Sequence, residues 1–179
     1  MARNVPVLIG LGSNLGDRRG HLTAAVAALG ARPGIEVQAV SRLWVTEAWG
    51  GPPGQKDFLN AAVLVRTRGL GPRDLLETIR EIEDRSGRVR TVRNGPRTLD
   101  VDILLWADRR ITESDLVIPH PGLHERSFVL GPAAEIAPDL VHPSLGETIL
   151  GLFRRVGRTG VIEVLEEKDW SHAVGHTSR

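Results

Sequence analysis

The 179-residue chain contains no cysteine and no tyrosine, and only 2 of its 23 basic residues are lysine. The absence of cysteine excludes a disulfide scaffold, a cysteine-ligated zinc site and a thiol enzyme. No stretch approaches the ~18 consecutive apolar residues of a membrane helix. The short apolar run over residues 5–11 contains Pro6, which makes it a poor signal peptide. We therefore expect a cytoplasmic protein with no membrane partner.

The charge balance is almost neutral, with 23 basic and 22 acidic residues and a net charge of +1. A dedicated nucleic-acid binder usually carries a strong positive excess, so this balance argues against a nucleic-acid partner. The length and the 41% hydrophobic content are typical of one globular domain. We expect a single domain over residues 1–168, with a core over about 5–106 and an extension over 107–168. Residues 169–179 are predicted to form a polar tail.

Hydrophobic periodicity predicts the order of elements in the core. Strands are predicted over residues 5–11, 35–45, 58–65 and 98–106. Helices are predicted after Asp17, a candidate N-cap, and from Pro72. This βαββαβ order is typical of an α+β, ferredoxin-like fold, in which helices cover one face of an antiparallel sheet. A C-terminal extension is predicted to contain helices over 128–136 and 145–156 and an edge strand over 161–165.

A pair of aspartates on the fourth predicted strand is the most distinctive feature. Asp100 and Asp102 lie two residues apart, so on a strand their side chains share one face, ~7 Å apart. Two such carboxylates repel each other unless a cation lies between them, and their oxygens suit Mg²⁺ held together with substrate phosphates. Leu104 and Trp106 are predicted to continue this face, which places the aspartates where a buried face opens. The alternative interpretation is a solvated polar face.

An arginine-rich segment directly precedes the aspartate strand. Between positions 85 and 97 there is no acidic residue, and the arginines are Arg85, Arg88, Arg90, Arg93 and Arg97. Guanidinium groups bind phosphate oxygens in planar, two-pronged contacts. Because the arginines and the aspartates adjoin, metal-bound triphosphate is the common ligand that needs both. The alternative is a solvated loop, enriched in arginine by a GC-rich genome.

Weaker signals lie elsewhere in the chain. The glycines of residues 10–16 have the wrong spacing for a dinucleotide fingerprint, and the segment is predicted to be a strand-to-helix turn. Phe58 and Asn60 share one face of the third predicted strand, where they can stack on and hydrogen-bond to a flat ring. His120 is either a ligand contact or, as is more common for a lone histidine, structural.

Five segments stand out along the chain: GLGSNLG (10–16), FLNAAV (58–63), GRVR (87–90), NGPRTLDVDI (94–103), and IPHP (118–121) with Arg126 and Phe128. In sequence and in order, these segments resemble the 6-hydroxymethyl-7,8-dihydropterin pyrophosphokinase family. The resemblance implies a ferredoxin-like monomer that acts in folate biosynthesis. It implies transfer of a pyrophosphoryl group from ATP to the hydroxymethyl oxygen of the pterin, with release of AMP.

The resemblance also implies the roles of individual residues. Asp100 and Asp102 correspond to ligands of two Mg²⁺ ions that bridge the ATP phosphates. The implied catalytic residues are Arg88, Arg97, Asp100 and Asp102. The implied ATP-binding residues are Glu83, Arg90, Arg93, Ile103, His120 and Arg126. The implied pterin-binding residues are Thr46, Trp49, Phe58, Asn60 and Phe128. Asn94 stands where many members of the family carry tryptophan.

Two other functions fit parts of the pattern. A palm-like nucleotidyl transferase also places two acidic residues on a ferredoxin-like sheet, but it would release pyrophosphate rather than AMP. An RNA-recognition module shares the βαββαβ order and stacks bases on aromatic residues of its central strands. Here the corresponding strand carries Asp100 and Asp102, which would repel RNA.

Overall fold

A six-stranded antiparallel sheet forms the centre of the molecule. The computed structural model describes residues 4–88, 94–167 and 170–171. The elements in chain order are β1 (Val5–Ser13), α1 (Arg18–Ala31), β2 (Ile35–Val40), β3 (Leu43–Thr46), β4 (Phe58–Thr67), α2 (Pro72–Arg85), β5 (Asp100–Trp106), β6 (Ile111–Glu113), β7 (Leu116–Ile118), a 3₁₀ turn (Leu123–Glu125), α3 (Ser127–Ile136), α4 (Ile149–Val156) and β8 (Val161–Leu165).

The strand order confirms the predicted ferredoxin-like α+β fold. The sheet runs β5-β1-β4-β3-β8, and β2 also pairs with β4. The two long central strands, β1 and β4, are paired along their whole length from Val5–Thr67 to Ser13–Leu59. Strands β6 and β7 form a separate two-stranded hairpin.

Helices α1 and α2 cover one face of the sheet, as predicted. The side chain of Asp17 accepts a hydrogen bond of 2.9 Å from the Gly20 backbone N–H, which confirms Asp17 as the N-cap of α1. Both helices bury an apolar stripe that recurs every three to four residues. The buried residues of these stripes are Leu22, Ala25, Val26 and Leu29 of α1 and Leu75, Ile79 and Ile82 of α2.

The C-terminal extension covers part of the opposite face. Helices α3 and α4 pack over Leu8, Ala62 and Leu104, which project from three neighbouring strands. The predicted edge strand is confirmed, since β8 pairs with β3. Because the two helices cover only part of this face, a cavity remains over the end of the sheet where β1 leads into the turn before α1.

Two details of the strands differ from the sequence predictions. The predicted strand over 35–45 is two strands, β2 and β3, which pair with different parts of β4. Between them the Ser41 hydroxyl accepts a hydrogen bond of 2.9 Å from the Ala62 N–H. The prediction that Trp106 shares the face of the aspartates is wrong. A β-bulge between β1 and β5 shifts the register after Leu8, so Trp106 pairs with Val7 and packs on the α1–α2 side.

The C-terminal part of the chain contains a buried residue that composition did not predict. Within the segment expected to be a polar tail, Trp170 is only 3% exposed. Its indole N–H donates a hydrogen bond of 2.8 Å to the Ser41 carbonyl, and the Thr23 hydroxyl donates one of 3.1 Å to the Trp170 carbonyl.

Among the described residues, no helix is long and apolar enough to span a membrane.

Candidate active site

An open cavity lies on the half-covered face of the sheet, with about 690 Å³ of empty space when the adjoining solvent is included. Its floor is formed by Gly10 and Gly12 of β1. A Cβ atom at Gly12 would lie 3.0 Å from Asn60 Oδ1, and one at Gly10 would lie 3.3 Å from the Leu104 side chain. The cavity therefore depends on the missing side chains at two alternate positions of one strand. From the sequence, residues 10–16 are predicted only as the transition from the first strand to the turn before α1, and not as the floor of a cavity.

The strand register places two different groups of side chains on either side of this floor. Asp100 and Asp102 lie opposite Gly12 and Gly10 on β5. On the other side of β1, Asn60 of β4 lies opposite Gly12. Directly paired residues of antiparallel strands project from the same face. We call the side with Glu83, Arg88, Arg97, Asp100 and Asp102 the acidic half, and the side with Thr46, Trp49, Phe58, Asn60 and Phe128 the aromatic half.

In the acidic half, Asp100 is held by two arginines. Arg88 Nη1 lies 2.7 Å from Asp100 Oδ1, and Arg97 Nη1 lies 2.8 Å from Asp100 Oδ2. Arg88 is itself positioned by Glu83, a buried residue that forms an ion pair with it. Glu83 also accepts a hydrogen bond of 2.9 Å from the Val101 N–H, which ties the end of α2 to the start of β5.

Asp102 lies in a different electrostatic environment. Burial in the cavity, followed by repulsion from Asp100 and Glu83, raises the pKa of Asp102 to about 7 against the opposing effect of Arg88 and Arg97. The cavity leaves 43% of this side chain exposed, so a ligand can reach it. Accumulated carboxylate charge next to an opening suits a hard divalent cation such as Mg²⁺.

His120 lies beside the acidic half, with its Nε2 atom 3.8 Å from Asp102 Oδ2. Its Nδ1 atom accepts a hydrogen bond of 3.1 Å from the Gly122 N–H, so the neutral ring carries its proton on Nε2. Burial, followed by the charge of Arg126, lowers the pKa of His120 against the effect of Asp100. His120 is therefore arranged as a neutral hydrogen-bond donor rather than as a base.

The aromatic half combines rings with one buried amide. The Trp49 and Phe128 rings lie 6.1 Å apart at an angle of 49°. Asn60 Nδ2 donates a hydrogen bond of 2.7 Å to the Thr46 hydroxyl. Arginines border both phenylalanines, because the Arg97 guanidinium lies 6.0 Å from the Phe58 ring centre and that of Arg126 lies 5.9 Å from the Phe128 ring centre. Each phenylalanine ring therefore has a guanidinium within about 6 Å of its centre, the range of a cation–π contact.

Most of the candidate residues from the sequence meet in this cavity. Its lining includes Thr46, Trp49, Phe58, Asn60, Arg97, Asp100, Asp102, Arg126 and Phe128. Glu83 and Arg88 complete the acidic half through ion pairs, Arg88 with both Glu83 and Asp100, and His120 lies beside Asp102. The side chain of Ile103 packs in the α1–α2 core, on the face opposite to the cavity. Arg90 and Arg93 lie outside the described residues.

Two residues that sequence reasoning missed connect the loops around the cavity. Asn14 is buried and bonds to the backbone of Arg97 and of Lys56. Gln55 bonds to the backbone of Asn94 and of Gly50. Neither residue has a local sequence signal, because its partners lie about 40 or more positions away in most cases.

The sequence matches the family model of 7,8-dihydro-6-hydroxymethylpterin-pyrophosphokinase (HPPK) over residues 8–138. It is similar to proteins named 2-amino-4-hydroxy-6-hydroxymethyldihydropteridine pyrophosphokinase. The protein from Synechocystis sp. is 43% identical over 154 residues, which cover 86% of this chain and 77% of the relative. The protein from Methylorubrum extorquens is 45% identical over 156 residues, which cover 87% and 96%, respectively.

A crystal structure of wild-type Plasmodium falciparum HPPK-DHPS with pterin and p-hydroxybenzoate has a similar fold, with a TM-score of 0.66 and 17% sequence identity. The match covers 87% of this chain and 43% of that longer chain, and at this identity it concerns the fold alone. The family model and the two bacterial relatives establish both the family and the reaction. The chain belongs to the 7,8-dihydro-6-hydroxymethylpterin-pyrophosphokinase family, and its reaction is the ATP-dependent transfer of a pyrophosphoryl group to hydroxymethyldihydropterin in folate biosynthesis.

Proposed function

We propose that the acidic half binds ATP with two Mg²⁺ ions, and that the aromatic half binds the pterin. One observation carries this assignment: a single cavity joins carboxylates and guanidiniums on one side of a glycine floor to aromatic rings and an amide on the other. The two substrates differ in the same way, since one is a polyanion and the other is a flat polar ring. The floor at Gly10 and Gly12 leaves room for the reacting groups to meet.

The charges of the acidic half support binding of a metal–nucleotide complex. Repulsion from Asp100 and Glu83 raises the pKa of Asp102, against the opposing charges of Arg88 and Arg97. A cation bound beside Asp100 and Asp102 would relieve this repulsion. Asp100 and Asp102 would hold Mg²⁺, which neutralises phosphate charge when bound. The guanidiniums of Arg88 and Arg97 then lie on the nucleotide side of the cavity, from which the pyrophosphoryl group is transferred to the pterin.

Arg97 occupies the boundary between the two halves. Its guanidinium contacts Asp100 and also lies over the face of Phe58. A cation at this position neutralises charge that develops while the pyrophosphoryl group moves from one substrate to the other. His120 donates its Nε2 proton toward the nucleotide phosphates, and Arg126 adds a second cation near Phe128. Arg90 and Arg93 are assigned to ATP by the family resemblance.

The pterin is proposed to lie against Phe58 and Phe128, with Asn60 at its edge. Burying a flat ring between aromatic side chains adds stacking energy to the burial of its area. The Asn60 amide donates to Thr46 and is only 6% exposed, so its orientation is fixed before the pterin binds. The hydroxymethyl oxygen attacks the β-phosphorus of ATP, and AMP leaves. We assign no general base, and alignment of the alcohol provides most of the catalysis.

The contacts of the extension also support a single-domain monomer. Strand β8 pairs with β3, and α3 carries Phe128 to the cavity, so residues of both the core and the extension form the site. One chain supplies both halves of the cavity. Gel filtration with light scattering is expected to give the mass of one chain, 19.5 kDa. A stable dimer would contradict the assignment.

Phosphorus NMR tests the proposed site. Wild-type protein with ATP, Mg²⁺ and the hydroxymethyl dihydropterin is expected to yield AMP and a pterin pyrophosphate, whereas a nucleotidyl transferase would release pyrophosphate. The Asp102→Asn variant keeps the shape of the side chain but loses its charge, and we expect it to yield neither product at a comparable rate. Asp108→Asn is the matched control, because Asp108 is exposed and two residues beyond β5. Equal rates for the two variants would contradict the metal assignment.

A further inference from the structure

The helix that carries Phe128 packs on a tryptophan that has no part in the proposed roles. Trp44 of β3 is 3% exposed and does not line the cavity, so it is not placed to touch either substrate. It lies directly opposite Asn60 of β4. Directly paired residues of antiparallel strands project from the same face. The indole of Trp44 therefore lies on the cavity face of the sheet, next to the aromatic half.

Helix α3 approaches this indole at a glycine. A Cβ atom at Gly131 would collide with three carbon atoms of the Trp44 six-membered ring, Cζ3, Cη2 and Cε3. The backbone of the helix therefore lies directly against the ring. Phe128 lies three residues before Gly131, and residues three or four apart on a helix are neighbours on one face. Trp44 thus contacts α3 about one turn away from the ring that reaches the aromatic half.

The next turn of α3 bonds to the same indole. Trp44 Nε1 donates a hydrogen bond of 3.0 Å to Glu135 Oε1. Arg42 fixes this carboxylate, because its backbone N–H donates to Oε2 at 3.0 Å and its Nη2 donates to Oε1 at 2.8 Å. Phe128, Gly131 and Glu135 follow one another at intervals of three and four residues, so they form one stripe of the helix. This stripe extends from the cavity to β3.

Two further groups hold the indole in place. The Phe153 ring of α4 lies edge-on to it, with 5.8 Å between the ring centres and an angle of 80°. The Arg158 guanidinium lies 5.3 Å from the centre of the Trp44 ring. Because the indole is packed and hydrogen-bonded on several sides, a group added to α3 at the contact would displace the helix rather than the indole.

The start of α3 depends on contacts of this kind, because the helix contains a proline. Pro132 has no N–H, so it cannot donate the helical hydrogen bond to the Phe128 carbonyl. The Ser127 hydroxyl donates instead to the Thr159 carbonyl, in the turn between α4 and β8. The position of Phe128 is therefore determined by what α3 packs against, and not by the bonds of the helix alone.

We propose that Trp44 is a positioning residue that sets the distance of α3 from the sheet, and thereby the width of the space in which Phe128 meets the pterin; this proposal rests on the site assignment above. Added bulk at the contact moves Phe128 away from the sheet, and lost bulk lets it approach. In both cases the ring leaves the distance at which it stacks on a flat ligand. Trp44 and Gly131 thus form a size-matched pair that acts on pterin binding.

Calorimetry tests this pair with variants that exchange size. The dihydropterin is titrated into protein saturated with Mg²⁺ and an α,β-methylene analogue of ATP that cannot be cleaved. In Gly131→Ala we expect the pterin affinity to fall about tenfold or more, the size of an overpacking penalty where neighbours are fixed. The affinity for the analogue, measured alone, should change by a much smaller factor, because the acidic half is built from residues 83–102 and not from α3.

Trp44→Phe supplies the complementary change. Phenylalanine is too short to reach the positions of Cζ3 and Cη2, so Gly131→Ala combined with Trp44→Phe has room for the new methyl group. We expect the double variant to bind pterin about 3-fold or more tightly than Gly131→Ala, since contacting residues are not additive. Trp44→Phe alone keeps an aromatic ring in the core and is expected to fold, with a smaller loss of pterin affinity than Gly131→Ala.

Val26→Ala is the control for a general loss of stability. Val26 is fully buried on α1, on the opposite face of the sheet, so this variant lowers the unfolding temperature without touching the contact of α3. Its pterin affinity should equal that of the wild type at a temperature where both proteins are folded. An unchanged pterin affinity in Gly131→Ala, no recovery in the double variant, or an equal loss in Val26→Ala overturns the proposal.

Phe128→Ala separates this proposal from the site assignment. If Phe128→Ala binds pterin normally, the site assignment is wrong. If Phe128→Ala loses pterin binding but Gly131→Ala does not, only the proposed positioning is wrong. Because Trp44 is proposed to act through Phe128, adding Gly131→Ala to Phe128→Ala should weaken pterin binding little further. A full additional loss in that double variant would contradict the positioning role.

Discussion

The acidic half of the cavity draws its charged groups from one short region, residues 83–102, whereas the aromatic half gathers side chains from residues 46–128 on two strands, a loop and a helix. In the acidic half the charges position one another, since Glu83 holds Arg88 and two arginines hold Asp100. In the aromatic half the positions depend on packing of whole elements. Trp49, for example, lies on a loop and is 49% exposed.

Because the two halves are held together differently, we expect substitutions in each half to change a different measured quantity. A change in the acidic half removes charge that the reaction needs, so it should act mainly on the rate. A change in the aromatic half removes contact area and shape, so it should act mainly on pterin affinity. The glycine floor lies between the halves, and substitutions there test whether the division holds.

The largest effect is expected for Asp102→Ala. Removing this carboxylate removes a proposed metal ligand, and loss of a comparable charge stabiliser in phosphoryl transfer costs ~10³-fold or more in rate. The fold should persist, because this carboxylate is repelled by Asp100 and Glu83 in the free protein. Steady-state turnover in saturating Mg²⁺ is the measurement, and thermal unfolding checks the fold. Turnover near that of the wild type would show that the charge of the acidic half does not control the rate.

Phe128→Ala should have a smaller and more selective effect. Aromatic contacts contribute ~0.5–1.5 kcal/mol beyond area burial, so together with the lost area we expect roughly tenfold weaker pterin binding. Nucleotide affinity should change little, because the ATP contacts are assigned to the opposite half. Titration of the variant with each ligand separately decides this. Equal losses for both ligands would mean that Phe128 supports the fold rather than the pterin.

The two glycines of the floor offer a matched pair for the third prediction. In Gly12→Ala the new methyl group would lie 3.0 Å from Asn60 Oδ1, and Asn60 is held by its bond to Thr46. In Gly10→Ala it would lie 3.3 Å from the flexible side chain of Leu104. Overpacking costs ~1–3 kcal/mol where neighbours cannot move. We expect Gly12→Ala to weaken pterin binding about 5-fold or more, by the same estimate, and Gly10→Ala to have the weaker effect on the pterin. The reverse order in calorimetric titrations would contradict the division of the floor.

The sequence was most informative where the causes of structure are local. The cap at Asp17, the apolar stripe of α2 and the shared face of Asp100 and Asp102 each depend on residues within a few positions. These features were predicted correctly because periodicity and side-chain chemistry are enough to determine them. The acidic half was accordingly the easier half to recognise without the family resemblance.

Features that depend on distant residues were missed or predicted wrongly. At the break between β2 and β3, Ser41 bonds to Ala62 of β4, and a bulge between β1 and β5 places Trp106 on the opposite face. Gly10 and Gly12 form a floor only because β4 and β5 flank them with Asn60 and Asp102. Alternation along one strand carries no information about the register of its neighbours. The aromatic half depends on such tertiary relations, so Phe128 was placed there through the family resemblance.

The smallest predicted effect concerns the stability of the metal-free protein as a function of pH. The pKa of Asp102 is raised from its ordinary value of 3.8 to about 7, first by burial and then by Asp100 and Glu83. Between these values the folded protein binds a proton that the unfolded chain has released, so the contribution of Asp102 is fully present below pH ~4 and is lost as the pH rises through ~7. Because 43% of the side chain is exposed, solvent screening limits this contribution to ~1 kcal/mol.

Urea unfolding in EDTA at pH 5 and pH 8 should show a larger loss of stability with rising pH for the wild type than for Asp102→Asn, whose amide does not titrate. Mg²⁺ should remove much of the difference at pH 8, because it binds the ionised carboxylate and stabilises the folded state. Identical pH dependence of the two proteins in EDTA would mean that other groups of the protein already compensate the charge of these carboxylates without a metal ion. The acidic half would then depend on a bound ligand no more than the aromatic half does.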